Sequence, residues 1–273
     1  DLPVQFNWCS NASTCTPSWN QHIPMYCGAC WIHATLHTAN DRIHFLRQKY
    51  LQGSYPVTPV LLARQVMLNC GKHRGFGHGC NGGYSSDVWE YMHRYGLPDE
   101  TCQNYAATPL PCDEVGQCKN CMPVSSESDD TGRPHCWPVT RYVKYYTTAY
   151  GRVRGEAAMM SEIMARGFAV ICTITVRPIT CGFGATPRFD KYRGGVFVGD
   201  NRTDENARIN HDVEIVGWGA TNDQVKYWIA RNSWGSYWGE GGWFKIVRGV
   251  GNAGIEHECT FALLDISGKP SFA

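Results

Sequence analysis

Gln21-His22-Ile23-Pro24-Met25-Tyr26-Cys27-Gly28-Ala29-Cys30-Trp31 is the stretch on which the reading of this chain turns. It ends in a Cys-x-x-Cys, which taken alone fits a redox pair, half of a zinc site, or a disulfide cysteine next to a nucleophile. A redox pair belongs after the first strand of a βαβ unit, and zinc needs a second ligand pair at finger or ribbon spacing. Neither context accompanies these residues, and no metal or other cofactor is expected. A helical pattern covers 28–48. Ile32, Thr35, Ala39, Ile43 and Leu46 recur at steps of three and four, while Arg42, Arg47 and Gln48 fall off that stripe. Cys30 therefore stands in the first turn of a long helix, where free N–H groups and the positive end of the dipole favour a thiolate.

A thiolate nucleophile needs a proton partner. His211 begins the apolar run His211-Asp212-Val213-Glu214-Ile215-Val216-Gly217-Trp218, and Asn232 closes the next one, in Arg231-Asn232-Ser233-Trp234-Gly235. An antiparallel hairpin would bring the Asn232 amide to the imidazole, with Trp234 shielding that hydrogen bond from water. Any single histidine among ten is more often a satisfied core or surface residue. The joint pattern of cysteine, histidine and asparagine is what singles out His211.

Composition narrows the setting. The 273 residues carry 25 Lys+Arg against 24 Asp+Glu, a net charge of +1, and no basic block, so nucleic acid is not an expected partner. The apolar run 169–176 is far short of the roughly 20 residues of a membrane helix, so no membrane span is expected. Fourteen cysteines point to an oxidising, secretory-pathway compartment, as do two glycosylation sequons at Asn11 and Asn201. Asp1-Leu2-Pro3 has neither the charged start nor the apolar stretch of a signal peptide, so a processed mature form is expected, with a leader and a pro-segment lost.

Along the chain, helical patterns at 28–48, 87–95 and 155–166 lie mostly in the first half. Strand-like runs at 169–176, 195–198, 213–218, 225–231, 243–247 and 261–266 fill the second. Five cysteines between Cys102 and Cys136 lie in aperiodic chain rich in Pro, Asp, Ser and Gly, which predicts cross-linking in place of a core. The class is α+β, two lobes with a groove between them and no internal repeat.

These residues resemble the papain-like cysteine peptidases, whose signature Cys-Gly-[Ser/Ala]-Cys-Trp is met by Cys27 to Trp31. The resemblance runs from Trp8 and Gln21 through Gly79-Cys80-Asn81-Gly82-Gly83 to the His211 run and Asn232-Ser233-Trp234-Gly235-Ser236-Tyr237-Trp238-Gly239. It implies a helical left lobe over about 13–140, rich in disulfides, and a β-barrel-like right lobe formed by about 141–273 with the N-terminal segment. It implies Cys30, His211, Asn232 and Gln21 as the catalytic set, Gln21 adding a side-chain amide to the oxyanion hole beside the Cys30 N–H. Gly82, Gly83 and Trp234 would line the substrate's path, the glycines letting an extended peptide pair with the backbone. Cys30 and His211 are 181 positions apart, more than the usual spacing, and the Cys102–Cys136 insertion accounts for the excess.

Nine positions separate Gln21 from Cys30, against about six in most of the family, the extra residues being His22-Ile23-Pro24. This resembles the branch whose short loop closes the leaving-group side of the groove and which removes single residues from C-termini. A cationic His22 with the Tyr26 hydroxyl would hold the terminal carboxylate. The expected partners are peptides or proteins with a free C-terminus, and a pro-segment or protein inhibitor in the cleft. The expected location is a lysosome or equivalent acidic vesicle, or outside the cell. The rivals are an endopeptidase or aminodipeptidase of the same family, and a catalytically idle, disulfide-stapled binding protein. The same resemblance implies bridges Cys27–Cys80, Cys70–Cys112, Cys102–Cys118, Cys121–Cys136 and Cys172–Cys259, with Cys9 and Cys15 close enough to bridge locally and Cys181 left odd.

Three departures stand out. Asp212 follows His211 where a small or apolar residue is usual, and facing the site it would favour imidazolium. Tyr84-Ser85 follows Gly82-Gly83 where Asn-Asp is expected, which bears on the pocket for the residue two before the scissile bond. The polar insertion 199–208, which carries the Asn201 sequon, would form a rim of the groove.

Overall fold

A computed structural model describes residues 2–10, 15–50, 58–122, 135–164, 178–199 and 208–271. Both sequons, the run 169–176, Cys172 and most of the 199–208 insertion lie outside the described residues.

Helix α1 (Cys30–Tyr50) is the axle of the molecule, flanked by α2 (Arg64–Cys70) and α3 (Ser85–Tyr95). Trp31, Leu36, Met67, Trp89 and Met92 form the core on this side. On the other side lies a mixed sheet. Its strands are β1 (Phe6–Asn7), β2 (Thr147–Val153), β3 (Ile179–Phe183), β4 (Val196–Phe197), β5 (His211–Ala220), β6 (Lys226–Arg231), β7 (Trp243–Val247) and β8 (Glu258–Leu264). The order is β2-β8-β3-β5-β6-β7-β4, with β1 added to β5. A second core of Phe183, Phe189, Val213, Trp228 and Phe244 packs on it, and helix α4 (Glu156–Ile163) contributes Met159 and Ile163. The expected barrel is not closed among the described residues: β2 and β4 remain as edges of an open path.

The sequence pattern made α1 amphipathic, with Arg42 on its polar side. Instead every residue from Trp31 to His44 is buried, because the helix is clamped between the two cores. Arg42 is 1 % exposed; its Nε donates to Pro178 O at 2.7 Å and its guanidinium also reaches Ala262 O. Thr38 Oγ1 meets Thr180 Oγ1 at 2.9 Å. Arg231 on β6 binds Asp41 Oδ2 at 2.6 Å and Glu214 Oε2 at 2.5 Å, all three side chains being buried. A buried charge is tolerable only when paired and hydrogen-bonded, so this seam fixes how the helical and sheet halves dock.

Six disulfides close the described chain. Five match expectation: Cys9–Cys15, Cys27–Cys80, Cys70–Cys112, Cys102–Cys118 and Cys121–Cys136. The sixth corrects it, since Cys259 bonds Cys181, not Cys172. The reason is register: β8 and β3 run antiparallel with Cys259 directly opposite Cys181, their Cα atoms 4.0 Å apart. Between Cys102 and Cys136 the aperiodic segment contains one short hairpin strand, Lys119–Met122, paired with His135–Pro138.

Candidate active site

Cys30 opens α1, and the loop before it is pinned from two sides. Cys27 is bonded to Cys80, and the Gly28 N–H donates to Cys80 O at 2.9 Å. A Cβ at Gly28 would sit 2.6 Å from that oxygen, so only glycine permits the approach. Across the cleft the Trp31 indole donates from Nε1 to Gly79 O at 3.2 Å and lies against Gly83, where a Cβ would come within 2.7 Å of the ring. Gly82 has φ +99° with open space beside it. One wall of the cleft is thus bare backbone, which an extended peptide can approach.

His211 is the first residue of β5 and Asn232 the first beyond β6. Their hairpin carries a register shift between Ile215 and Gly217. Asn232 Oδ1 accepts from the Ser233 N–H at 2.8 Å, which identifies that atom as the amide oxygen, and it lies 2.8 Å from His211 Nε2. The imidazole therefore carries its proton on Nε2 and leaves Nδ1 unprotonated. The Trp234 ring covers the histidine at 4.9 Å, and Phe183 closes it from another side at 5.7 Å. His211 is 6 % and Asn232 1 % exposed, so the bond between them is shielded from water.

Cys30 and His211 line both cavities that meet at this point. Burial pushes the Cys30 thiol up to about 12, with the Asp212 charge adding to the rise, while N–H groups of the first helical turn and of Asp212 oppose it. Burial also pushes His211 down to about 4, against the Asn232 hydrogen bond. Either charge alone is costly here. Proton transfer from Sγ to the imidazole creates two opposite charges in one low-dielectric site, where each offsets the other's desolvation.

Gln21 is 2 % exposed. Its Nε2 donates to Cys27 O at 2.9 Å, and its Oε1 accepts from Ser233 Oγ at 2.6 Å. An amide nitrogen carries two N–H groups, so Nε2 retains a second donor, and Gln21 shares a cavity wall with Cys30. Ser233 was not singled out by sequence reasoning. Its position between Asn232 and Trp234 is the signal: it links the residue that holds the histidine to the residue that presents an amide.

His22 and Tyr26 stack face to face, rings 4.7 Å apart and 6° from parallel, and His22 lies 6.3 Å from Trp234. With Gln21, Cys30 and Trp234 they wall a cavity of about 280 Å³. Gly82, Gly83, Tyr84 and Asp212 belong to the other cavity, of about 870 Å³. The expected substrate-facing residues thus divide between two sides of Cys30. Asp212 takes the first of its alternatives: it lines the cleft, half-buried, and burial together with the Glu258 charge pushes its carboxyl up to about 7. As a metal site nothing qualifies among the described residues. Cys9, Cys15 and Asp41 cluster, but the two sulfurs are spent in a disulfide and Asp41 holds Arg231.

The sequence profile described as papain family cysteine protease matches residues 2–263, and the chain belongs to that family of cysteine peptidases. Cathepsin Z of Onchocerca volvulus is 35 % identical over 272 residues, covering 96 % of this chain and 78 % of its own length. That is the branch, also called cathepsin X, which the loop inserted before Cys30 resembles. Cathepsin B-like cysteine proteinase 4 of Caenorhabditis elegans is 29 % identical, covering 94 % and 73 %. Among solved structures, the bromelain protease of Ananas comosus in complex with the E64 inhibitor superposes with a TM-score of 0.69 at 27 % identity, covering 97 % of this chain and all of that one.

Proposed function

We propose that this cysteine peptidase is a carboxypeptidase that removes one residue at a time from peptide or protein C-termini. The observation that carries the reading is the His22–Tyr26 stack, set across the cleft from the Gly82-Gly83 wall and in the same cavity as Cys30. A substrate lying along the glycine wall places its scissile carbonyl at Cys30 and has room beyond for one residue, whose carboxylate meets the imidazole and the phenol.

In this reading the Cys30 thiolate attacks the carbonyl after passing its proton to His211 Nδ1. The developing oxyanion takes hydrogen bonds from the Cys30 N–H and the Gln21 amide. His211 then returns the proton to the leaving nitrogen, the amine departs, and a water deprotonated by the same imidazole hydrolyses the thioester. Asn232 keeps Nδ1 facing the reaction throughout. Burial holds His22 below its usual value, so the imidazolium that grips a carboxylate is populated at acidic pH. That fits an acidic vesicle such as a lysosome, as does the disulfide-stapled chain.

The test is hydrolysis at pH 5 of one peptide as its free acid and as its C-terminal amide, products read by mass, with Cys30→Ser as control. Loss of single residues from the free acid alone is expected. Internal cleavage of both peptides makes the protein an endopeptidase, and silence in both makes it a binding protein.

A further inference from the structure

The carboxylate of Asp212 has no role in the reaction as drawn. It is nevertheless part of a pattern across the sheet. Asp212 on β5 lies opposite Gly182 on β3, and Gly182 lies opposite Glu258 on β8. Cross-strand partners share a face of the sheet, and neighbouring strands are about 4.8 Å apart, so two carboxylates stand about 10 Å apart at their backbones with a glycine between them. The missing side chain leaves the floor open: a Cβ at Gly182 would lie 3.0 Å from Asp212 Oδ1 and 2.7 Å from Ile209 Cγ2. Asp212, Glu258, Gly82 and Gly83 all line the larger cavity beside Cys30.

The other charged and titratable groups around Asp212 do not fill this role. Arg152 and Arg154 on β2 and just beyond it line the same cavity but are exposed, and neither lowers the Asp212 carboxyl, whereas Glu258 raises it. His78, His257, His211 and the Cys30 thiol complete the cavity's titratable wall, and none of them forms an ion pair with Asp212 or Glu258 among the described residues.

We infer that Asp212 and Glu258, facing each other across Gly182, select a lysine or arginine side chain at the substrate residue two before the scissile bond. For a carboxypeptidase this is the third residue from the C-terminus. The inference rests on Cys30 as nucleophile and on the Gly82-Gly83 wall as the acyl-side edge. A guanidinium or ammonium between the two carboxylates relieves their mutual repulsion, and an apolar side chain leaves the Asp212 carboxylate desolvated and unpaired. Because the empty pocket holds Asp212 protonated at acidic pH, the preference for a cation grows as the pH rises towards 7.

The test uses N-acetylated tetrapeptides with arginine, norleucine or glutamate third from the end, each as free acid and as amide, at pH 5, 6 and 7. Active enzyme is counted by titration with an electrophilic epoxide. At pH 6 kcat/KM for arginine should exceed that for norleucine about tenfold, glutamate should be worst, and the arginine-to-norleucine ratio should rise about threefold further by pH 7. Asp212→Asn should cut the ratio about tenfold and flatten it with pH, while Glu258→Gln should reduce it and move its rise to lower pH. Taking the ratio cancels any general effect of either variant on folding or on Cys30. Equal or better cleavage of norleucine at every pH, or an unchanged ratio in Asp212→Asn, overturns the inference. Cleavage of the amides at the same bond overturns the carboxypeptidase reading instead and leaves the ratio readable.

Discussion

His211 and Asn232 are joined through Nε2 and Oδ1 at 2.8 Å, and the same oxygen is held by the Ser233 N–H, so the amide cannot turn without breaking two hydrogen bonds. Asn232→Ala should therefore lower kcat about 10²-fold with KM nearly unchanged, since the imidazole keeps its place in the core but loses its fixed tautomer. Steady-state kinetics on a free-acid peptide check this. A change confined to KM would mean that Asn232 contacts substrate.

Gln21→Ala removes the amide anchored by Cys27 O and Ser233 Oγ. If that amide serves the oxyanion, kcat falls about 10²- to 10³-fold while epoxide labelling of Cys30 persists. Loss of labelling together with kcat would assign Gln21 to building the loop.

The His22–Tyr26 stack makes a prediction about both pH and substrate. His22 is held below 6.5 by burial, so the imidazolium, and with it the hold on a carboxylate, is lost as pH rises through that lowered value. In the native enzyme kcat/KM on a free acid should fall from pH 5 to 7. In His22→Ala it should be about 10- to 30-fold lower at pH 5 and flat over that range. Equal sensitivity of an amidated peptide would remove His22 from carboxylate binding.

Asp212→Asn should act on the thiol as well as on specificity. The Asp212 charge raises the Cys30 thiol, so its removal lowers the thiol's pKa and speeds alkylation at pH 7. It should also change stability in one direction only. The folded carboxyl is raised from 3.8 to about 7, so its contribution is fully present below 3.8 and is lost as pH rises through 7. The variant should match the native protein near pH 4 and melt roughly 4 °C higher at pH 8. A thermal-melt series across pH reads this directly, and a constant offset would show that the carboxylate stays hydrated.

Peptide mapping by mass should recover Cys181 linked to Cys259. Replacing both by alanine should cost about 2–5 kcal/mol in denaturant unfolding. A recovered Cys172–Cys259 peptide would contradict the β8–β3 register.

The active-site residues were legible in the sequence because each sits in a short local signature. Cys30 lies in Cys27-Gly28-Ala29-Cys30-Trp31 at a helix start, His211 begins an apolar strand, and Asn232 precedes Ser233-Trp234. Local chemistry dictates such patterns, through glycine where backbone must approach backbone and an aromatic cover where a hydrogen bond must stay dry. Four of the six bridges followed from the same resemblance and a fifth, Cys9–Cys15, from closeness in the chain, because their partners flank those signatures or crowd short irregular segments.

What the sequence left open depends on pairing between distant strands. Cys181 and Cys172 are equally plausible partners for Cys259 until the β8–β3 register sets Cys181 opposite it. Arg42 falls on the polar side of an isolated helix, yet α1 has no free side over Trp31 to His44 once both cores close on it, and the guanidinium is satisfied by carbonyls of Pro178 and Ala262. Asp212 faced solvent or the site with equal claim; the row Asp212, Gly182, Glu258 exists only when three strands lie side by side. The sequence by itself determined the nucleophile, its proton partner and the loop ahead of them, since neighbours in the chain carry that information. Tertiary structure decided the sixth bridge, the burial of α1 and the direction of Asp212, because each follows from contacts among residues far apart in the chain.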